Sequence, residues 1–391
     1  MTFSGRFFFV CLLLLPGTVC FAPGQGAGEE APPARTAPPQ TPVQDGAFLR
    51  ASSIASRLDT DRLAAQLILS AVDGRETLPE KTRALLMEIP PGGIMLFRYN
   101  VNAGSARAAA LAGRIRETVR EASGIDPFIA ADQEGGDIQR FGGAASLPPP
   151  LSYWERGGDR AGLFEDIALD AEKAGGELRR LGISLNLAPV TETLYGGNET
   201  FLKTRSYGPD GDFSGRGAAA FVLGMKRAGV ASTLKHFPGN TALDPHRAGK
   251  VILQANEAEL DRMIFPFKKA IAESEPAAVM LSHAAVALWD NRPASLSSRA
   301  VEYLRGDLGF GGIIIADDFS MAAVPGPVEQ RSLEAVMAGV DMVMAWPGNI
   351  RAIHGALVSA LRTGTLDRKR AEQAASRIMA EKLRYGLVLR E

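Results

Sequence analysis

A histidine and an aspartate lie two residues apart in the middle of the chain, at Asp244 and His246. Pro245 between them favours an extended backbone at Asp244, so the two side chains can point the same way. A carboxylate that accepts a hydrogen bond from one ring nitrogen fixes the tautomer and raises the basicity of the other nitrogen. Such a pair can donate and accept a proton near neutral pH. Short polar loops often contain both residue types, so the spacing alone does not distinguish a catalytic pair from a solvated loop.

The segment that carries this pair begins with a second pair of polar residues, Lys235 and His236. They end an apolar run of strand type, residues 231–235, and the pattern then breaks at Pro238 and Gly239. A strand that ends in polar side chains and opens into a loop is typical of the mouth of a β/α barrel.

Polar or charged residues follow almost every predicted strand. Each has a structural alternative: an aspartate can cap the next helix, a histidine can be a hydrogen-bonded core residue, and paired glycines can form a tight turn. Their occurrence together at one rim of the predicted barrel is better explained by a functional site. They are Arg98, Asp132, Gly135-Gly136, Arg140, Arg205, Lys235-His236, Ser282-His283 and Asp317-Asp318.

Asp317 has the sequence context of a nucleophile. It follows four apolar residues, so a rigid strand would direct its side chain into the mouth. A short, fixed carboxylate can attack an electrophilic sugar carbon. We therefore consider Asp317 a candidate nucleophile. The neighbouring Asp318 has a structural alternative, which is to cap a helix that begins near Phe319.

Eight apolar runs of strand length alternate with amphipathic stretches along the body of the chain. Runs that are apolar throughout fit strands buried on both faces of a parallel sheet. Eight of them alternating with helices predict an α/β fold, a single-domain (β/α)8 barrel, with an open doubly wound sheet as the alternative. The predicted strands are 66–71, 93–97, 127–131, 184–188, 231–235, 278–282, 312–316 and 341–345, and the clearest predicted helices are 105–122, 164–181, 257–273, 333–338, 350–363 and 367–385.

The N-terminal segment differs in sequence pattern from the body of the chain. Residues 1–20 place Arg6 before a short apolar run, which is typical of an export signal or lipoprotein signal. Cys20 stands where a lipidated cysteine would be. The alternatives are cleavage near Ala22 and an uncleaved anchor. Residues 21–46 are rich in Pro, Gly and Ala and predict a disordered linker, so the folded domain would span 47–391. We expect an exported protein, periplasmic, extracellular or attached to the membrane through lipidated Cys20.

The composition is that of a globular protein. Of 391 residues, 46% are hydrophobic and 22% are charged, and the formal net charge is −1. No basic stripe of the kind that binds nucleic acid is visible, so we expect no nucleic-acid partner. Both cysteines lie in the first 20 residues, so the body needs no disulfide.

Several motifs in order make the chain resemble the family 3 glycoside hydrolases, in particular their bacterial β-N-acetylglucosaminidases. The resemblance covers roughly Leu63 to Leu387. It rests on Gly92–Phe97, Asp132–Gly136 with Gln139–Phe141, Leu181–Val190, Arg205–Gly208, Lys235–Gly239, Pro293–Ser297 and Gly309–Met321.

This resemblance implies a TIM-type barrel that removes terminal β-linked N-acetylglucosamine with retention of configuration. It implies Asp317 as nucleophile, His246 as acid/base and Asp244 as the partner of His246. It implies a carbohydrate substrate and no metal or organic cofactor. We also expect a monomer. The residues that match sugar-binding positions are Asp132, Arg140, Arg205, Lys235 and His236.

The chain departs from the family pattern in the loop after the fifth strand. Gly239 is followed directly by Asn240, whereas the family has a His-Gly pair at this point, and Pro245 replaces a serine. Glu192 lies where an aspartate is usual. Three alternatives stay open: a β-glucosidase, a phosphorylase of the same fold and, because of the altered loop, a glycan-binding surface lipoprotein that has lost catalysis.

Overall fold

The computed structural model describes residues 45–75, 77–102, 104–157 and 160–389. The predicted signal, with Cys20, and residues 21–44 of the predicted linker lie outside the described residues. Asp45 and Gly46 were assigned to that linker, and this boundary is wrong. Asp45 caps the first helix by accepting a hydrogen bond from the Phe48 backbone N–H, and Gly46 is its first residue. None of the helices in the described part is long and apolar enough to cross a membrane.

Eight parallel strands form a barrel, which confirms the predicted fold class. All eight predicted strand regions are occupied. The barrel strands are β1 Ile68–Ala71, β2 Gly93–Met95, β3 Phe128–Ala131, β4 Leu185–Asn186, β5 Ala231–Phe237, β7 Ala278–Leu281, β9 Ile313–Ala316 and β10 Val343–Ala345. Their order in the sheet is β10-β1-β2-β3-β4-β5-β7-β9, and a parallel bridge from Ile315 to Met342 brings the two ends of the sheet together.

The strand residues are buried because both of their faces are covered. Helices pack against the outer face, and side chains such as Leu69, Met280 and Ile315 fill the interior. This double burial explains why the runs are apolar throughout rather than alternating.

The helices surround the barrel and confirm the six predicted stretches with small differences in length. The largest difference is at the predicted helix 333–338, which begins five residues earlier, at Val328. The helices are α1 Gly46–Ala55, α2 Thr60–Gln66, α3 Glu80–Glu88, α4 Arg98–Val101, α5 Ser105–Ser123, α6 Leu151–Glu155, α7 Leu163–Arg180, α8 Glu199–Leu202, α9 Gly211–Arg227, α10 Glu257–Ser274, α11 Ser298–Glu302, α12 Val328–Ala338, α13 Ile350–Thr363 and α14 Arg368–Arg384.

Helix α9 was not among the predicted helices, because glycines inside it lower its helix propensity. The structure explains them by close packing. A Cβ atom at Gly224 would lie 2.1 Å from the backbone oxygen of Ala168 on α7, and one at Gly217 would lie 2.8 Å from the ring of Tyr207. The glycines therefore let α9 approach its neighbours.

A small two-stranded parallel sheet connects two of the loops at the carboxyl ends of the barrel strands. Strand β6, Ile252–Leu253, pairs with β8, Ala285–Val286. Residues 238–251, between β5 and β6, carry Asp244 and His246. This pairing anchors the end of that segment to the chain that follows β7.

Candidate active site

Lys235 at the end of β5 lies between two carboxylates that follow β3. Its Nζ is 2.9 Å from Asp132 Oδ1 and 2.6 Å from Glu134 Oε1, and all three side chains are largely buried. Burial would lower the pKa of Lys235, but the two carboxylates outweigh it and raise that pKa above its ordinary value. The lysine is therefore a fixed cation at the barrel mouth.

Glu134 is also held by Arg205, which lies in the long connection after β4. The guanidinium donates two hydrogen bonds to it, at 2.8 and 2.9 Å. Burial opposes ionisation of Glu134, but Lys235 and Arg205 outweigh it and hold the pKa of Glu134 well below its usual range. Burial likewise opposes the charge of Arg205, and Glu134 reverses this and raises its pKa.

Arg140 joins this cluster through Asp132, donating to Oδ2 at 2.6 Å. The Gln133 side chain positions the loop, because its oxygen accepts the backbone N–H groups of Arg140 and Phe141. Gly135 makes the preceding turn at a positive φ of 111°. A Cβ there would meet the backbone oxygen of Pro148 at 2.2 Å, so only glycine fits.

His236 is held by Glu192, which follows β4. One carboxylate oxygen, Oε1, accepts from the His236 backbone N–H at 3.2 Å and bonds ring Nδ1 at 2.8 Å. Since a carboxylate only accepts, Nδ1 carries the hydrogen and Nε2 stays available to a ligand. Asn240 donates to the same oxygen at 2.9 Å. Glu192 thus sets the orientation of the His236 ring.

Asp317 directly follows β9 and is partly buried. Burial raises its pKa, but the electrostatic effects of His283, His236 and Lys235, with a hydrogen bond from the Asp318 backbone N–H, outweigh it. The net pKa lies below the ordinary value, so the carboxylate is ionised at neutral pH. These interactions place Asp317 in the same electrostatic environment as the Lys235–His236 pair.

His283, which follows β7, is a buried, hydrogen-bonded histidine. This is the structural alternative to a functional role that the sequence left open for it. Its Nε2 donates to the Asp318 carbonyl at 2.9 Å, so Nδ1 accepts from the Ser295 hydroxyl at 2.7 Å. Burial lowers its pKa. It supports the segment that contains Asp317.

The structural alternative for Asp318 is wrong, since no helix begins near Phe319. Asp318 instead accepts hydrogen bonds from the Ser320 backbone and hydroxyl and, at 2.7 Å, from Trp346 Nε1. The Trp346 ring stacks on Phe97, which follows β2, with 4.7 Å between centroids. An aromatic pair therefore lies at the rim beside the segment of Asp317.

The Asp244–His246 pair is formed in the structure. His246 Nδ1 lies 2.7 Å from Asp244 Oδ1, which also accepts the His246 backbone N–H at 3.0 Å. Nδ1 thus carries a hydrogen, and Nε2 is the nitrogen that can exchange a proton. The pair is solvent-accessible, with the His246 side chain 61% exposed. The Pro245 carbonyl accepts the Ala323 backbone N–H at 3.1 Å, which connects this loop to the segment that follows Asp317.

The structure therefore brings Asp132, Lys235, His236 and Asp317 together at the strand ends. Arg140 bonds Asp132, Arg205 bonds Glu134, and Asp244 and His246 lie on a loop bonded to the segment after Asp317. The sequence analysis missed the partners: Glu134 as the common acceptor for Lys235 and Arg205, and Trp346 as the partner of Asp318. Glu192 was noted only as a departure. Glu134 lies inside the motif Asp132–Gly136, but no sequence signal shows which cations it binds.

The site can bind a polar, neutral ligand and attack it. Ionised carboxylates and fixed cations around Lys235 offer several donors and acceptors, as sugar hydroxyls require. The ionised carboxylate of Asp317 has the chemistry that an oxygen nucleophile requires. Among the described residues, no group of three or more His, Cys, Asp or Glu side chains has the arrangement of a metal site.

Comparison with known proteins agrees with this chemistry. The family model "Glycosyl hydrolase family 3 N terminal domain" matches residues 60–380. A β-hexosaminidase of Methylococcus capsulatus is 35% identical over 276 residues, which are 67% of this chain and 77% of that protein. A β-hexosaminidase of Tolumonas auensis is 32% identical over 274 residues, 68% of this chain and 79% of that protein.

Solved structures match as well. A family 3 β-N-acetylglucosaminidase from a Paenibacillus species superposes with a TM-score of 0.76 and 30% identity, over 84% of this chain. The match spans 63% of that longer protein. A β-N-acetylhexosaminidase from Beutenbergia cavernae superposes with a TM-score of 0.75 and 27% identity, covering 83% of this chain and 98% of that one.

Proposed function

The chain belongs to glycosyl hydrolase family 3, and on that premise we propose that it is a β-N-acetylhexosaminidase. It removes terminal β-linked N-acetylglucosamine from peptidoglycan fragments or related glycans, with retention of configuration. The observation that carries the proposal is Asp317, an ionised carboxylate at a strand end beside the polar cluster of Lys235. The activity of the relatives supports the choice of sugar.

In the first step the Asp317 oxygen attacks the anomeric carbon, and the bond to the leaving oxygen breaks. His246 donates its Nε2 proton to that oxygen. In the second step His246 accepts a proton from water, which displaces Asp317 and regenerates both groups. Asp244 holds the His246 tautomer throughout. Asp132, Arg140, Arg205, Lys235 and His236 bind the hydroxyls of the terminal sugar.

The test measures release of p-nitrophenol from the β-N-acetylglucosaminide and from the β-glucoside. We expect turnover of the first substrate and its loss, by at least about 10³-fold, in Asp317→Ala. The matched control is Asp307→Ala, because Asp307 is an exposed aspartate in the segment before β9. A preference for the glucoside, or an active Asp317→Ala variant, would overturn the proposal. Sugar binding without turnover would favour the glycan-binding alternative.

A second measurement tests the proton-transfer role of His246. We expect His246→Ala to lose about 10²–10⁴-fold on a methyl glycoside, whose leaving group needs protonation. Added azide should restore turnover of the p-nitrophenyl substrate, because azide displaces Asp317 without a general base. An unchanged rate on the methyl glycoside would contradict this role.

We further propose that the protein is exported, attached to the membrane through Cys20, and monomeric. Residues 1–20 support export by their sequence pattern. Cell fractionation of the full chain and of Cys20→Ser tests this, with the wild type expected in the membrane fraction and the variant released. Light scattering tests the monomer. A wild-type protein found in the cytosol would overturn the export proposal.

A further inference from the structure

We propose that a cavity beneath the His246 loop binds an organic cation with an apolar body. The cavity has a volume of about 740 Å³ and lies between the segment after β4, the base of the loop and helix α10. We call it the loop cavity and define it by Glu192, Tyr195, Gly239, Ala255, Met263 and Phe265. Its volume lies within the range of small-molecule sites in proteins.

The loop cavity is next to the candidate active site but does not contain its catalytic groups. Pro238, Gly239 and Thr241 line it from the start of the loop that carries His246, and residues 253–255 line it from the end of that loop. A molecule in the cavity would therefore contact both stems of the loop. The chain is two residues shorter than the family pattern directly after Gly239, one of the residues in this wall.

A buried carboxylate oxygen in the cavity wall has no partner among the residues that the structure describes. Glu192 is 2% exposed, and its Oε1 receives the hydrogen bonds of His236 and Asn240. Its Oε2 is buried and receives none from the described part of the chain. An unpaired buried carboxylate oxygen is costly, so it favours a ligand that brings a donor. The Thr193 hydroxyl, on a residue that also lines the cavity, is likewise buried and without a partner.

The charge of the lining selects a cation. Four carboxylates line the cavity, those of Glu192, Asp210, Asp212 and Glu259, against one guanidinium, Arg262. Lys269 and Arg216, both outside the lining, neutralise part of this charge by pairing with Asp212 at 2.7 and 3.8 Å. An excess of negative charge remains, so an anion would be repelled and an ammonium group attracted.

The remaining walls are apolar and aromatic. Leu194, Tyr195, Met263 and Phe265 line them, and Phe265 is 43% exposed although its side chain is large and apolar. An alkyl chain would bury this surface. Aromatic faces also attract cations. The lining thus fits an alkylammonium ion better than a free sugar or an acid.

Occupation would also affect the neighbouring reaction, a consequence that rests on the proposed function. Glu192 orients His236, and the loop stems support His246. A cation that bonds Glu192 Oε2 and packs on the stems would alter the rate of sugar turnover without competing for the sugar site.

The experiment compares three probes of equal length: hexylammonium, 1-hexanol and hexanoate. Their affinities for the full chain are measured by ligand-observed NMR, which needs no turnover. We expect hexylammonium to bind about tenfold more tightly than hexanol, because one hydrogen bond to a charged group contributes about that factor to the affinity. Hexanoate should bind most weakly. Equal binding of the amine and the alcohol, tighter binding of hexanoate, or no binding of any probe would overturn the proposal.

Three variants locate the binding. Glu192→Gln should reduce hexylammonium affinity to that of hexanol, and Phe265→Ser should weaken both probes alike. Ala255→Trp should fill the cavity and abolish binding. Glu117→Gln, at an exposed carboxylate on α5 that does not line the cavity, is the control and should leave all affinities unchanged. Unaltered hexylammonium binding in folded Glu192→Gln and Ala255→Trp would refute this site, whereas loss of turnover alone would bear only on the proposed function.

Discussion

Asp244→Asn offers a sharp test of how the Asp244–His246 pair works. The wild-type oxygen Oδ1 accepts two hydrogen bonds, from the His246 backbone N–H and from ring Nδ1. The amide oxygen of asparagine should take the same position, because the backbone N–H needs an acceptor there. The variant therefore keeps the tautomer and orientation of His246 and removes only the negative charge.

The magnitude follows from the exposure of the pair. The side chains are 61% and 43% exposed, so water screens their attraction. Two unit charges about 4 Å apart attract by about 1 kcal/mol in water, and exposed pairs are typically worth no more than that. Loss of this stabilisation of a protonated His246 corresponds to about a fivefold fall in kcat.

The assay follows kcat for a methyl β-N-acetylglucosaminide at low and high salt. We expect the fivefold difference between Asp244→Asn and the wild type to shrink at high salt, because salt screens exposed charges. Asp244→Ala should lose at least about tenfold more, since it also removes both hydrogen bonds. A loss above about 10²-fold in Asp244→Asn, or one that salt does not change, would refute the reasoning and show that the pair is desolvated during the reaction.

Three further predictions concern stability, measured by urea unfolding. Glu134→Gln should destabilise the fold by about 3–5 kcal/mol, because it leaves the buried charges of Lys235 and Arg205 without their shared carboxylate. Gly224→Ala should cost about 1–3 kcal/mol by overpacking α9 against α7. Burial lowers the pKa of Lys382 to about 7, so the unfolded chain binds a proton that the folded chain lacks between pH 7 and the ordinary lysine pKa. The stability of the wild type should therefore rise with pH across this window, and Lys382→Met should remove this rise, which is on the order of 2–4 kcal/mol.

Each stability prediction has a control or an outcome that contradicts it. Glu199→Gln, at an exposed glutamate, should leave the unfolding free energy unchanged, and an equal loss in both glutamine variants would contradict the role of Glu134. Gly113→Ala on α5 has open space around the new methyl group and should not destabilise the fold. A pH slope that persists in Lys382→Met would assign it to another group.

Much of the architecture could be predicted because barrel strands are buried on both faces. The run Ile313–Ala316 is apolar throughout and is buried at every position, so its sequence alone indicates a strand. Helix α9 could not be predicted in the same way. Its glycines reflect close contacts with α7 and Tyr207, which local propensity does not contain.

The candidate site likewise has a part that could be predicted from the sequence and a part that could not. The types of residue at the strand ends, and the direction in which parallel strands present them, indicate that Asp132, Lys235 and Asp317 share one rim. Their partners could not be predicted: Lys235 and Asp132 are 103 positions apart, and the placement of β3 and β5 on either side of β4 brings them to 2.9 Å. The orphan oxygen of Glu192 and the cavity beside it depend on the path of a loop.

The order of strands and helices, the rim that carries Asp132, Lys235 and Asp317, and the Asp-Pro-His spacing that lets Asp244 bond His246 therefore follow from the sequence alone. These are local properties, set by hydrophobic runs, turn residues and short spacings. Only the tertiary structure decided which charges neutralise one another, how His236 is oriented and where space remains beneath the loop. Those properties depend on contacts between segments that are distant in the sequence, and such contacts form only when the strands and their loops are assembled.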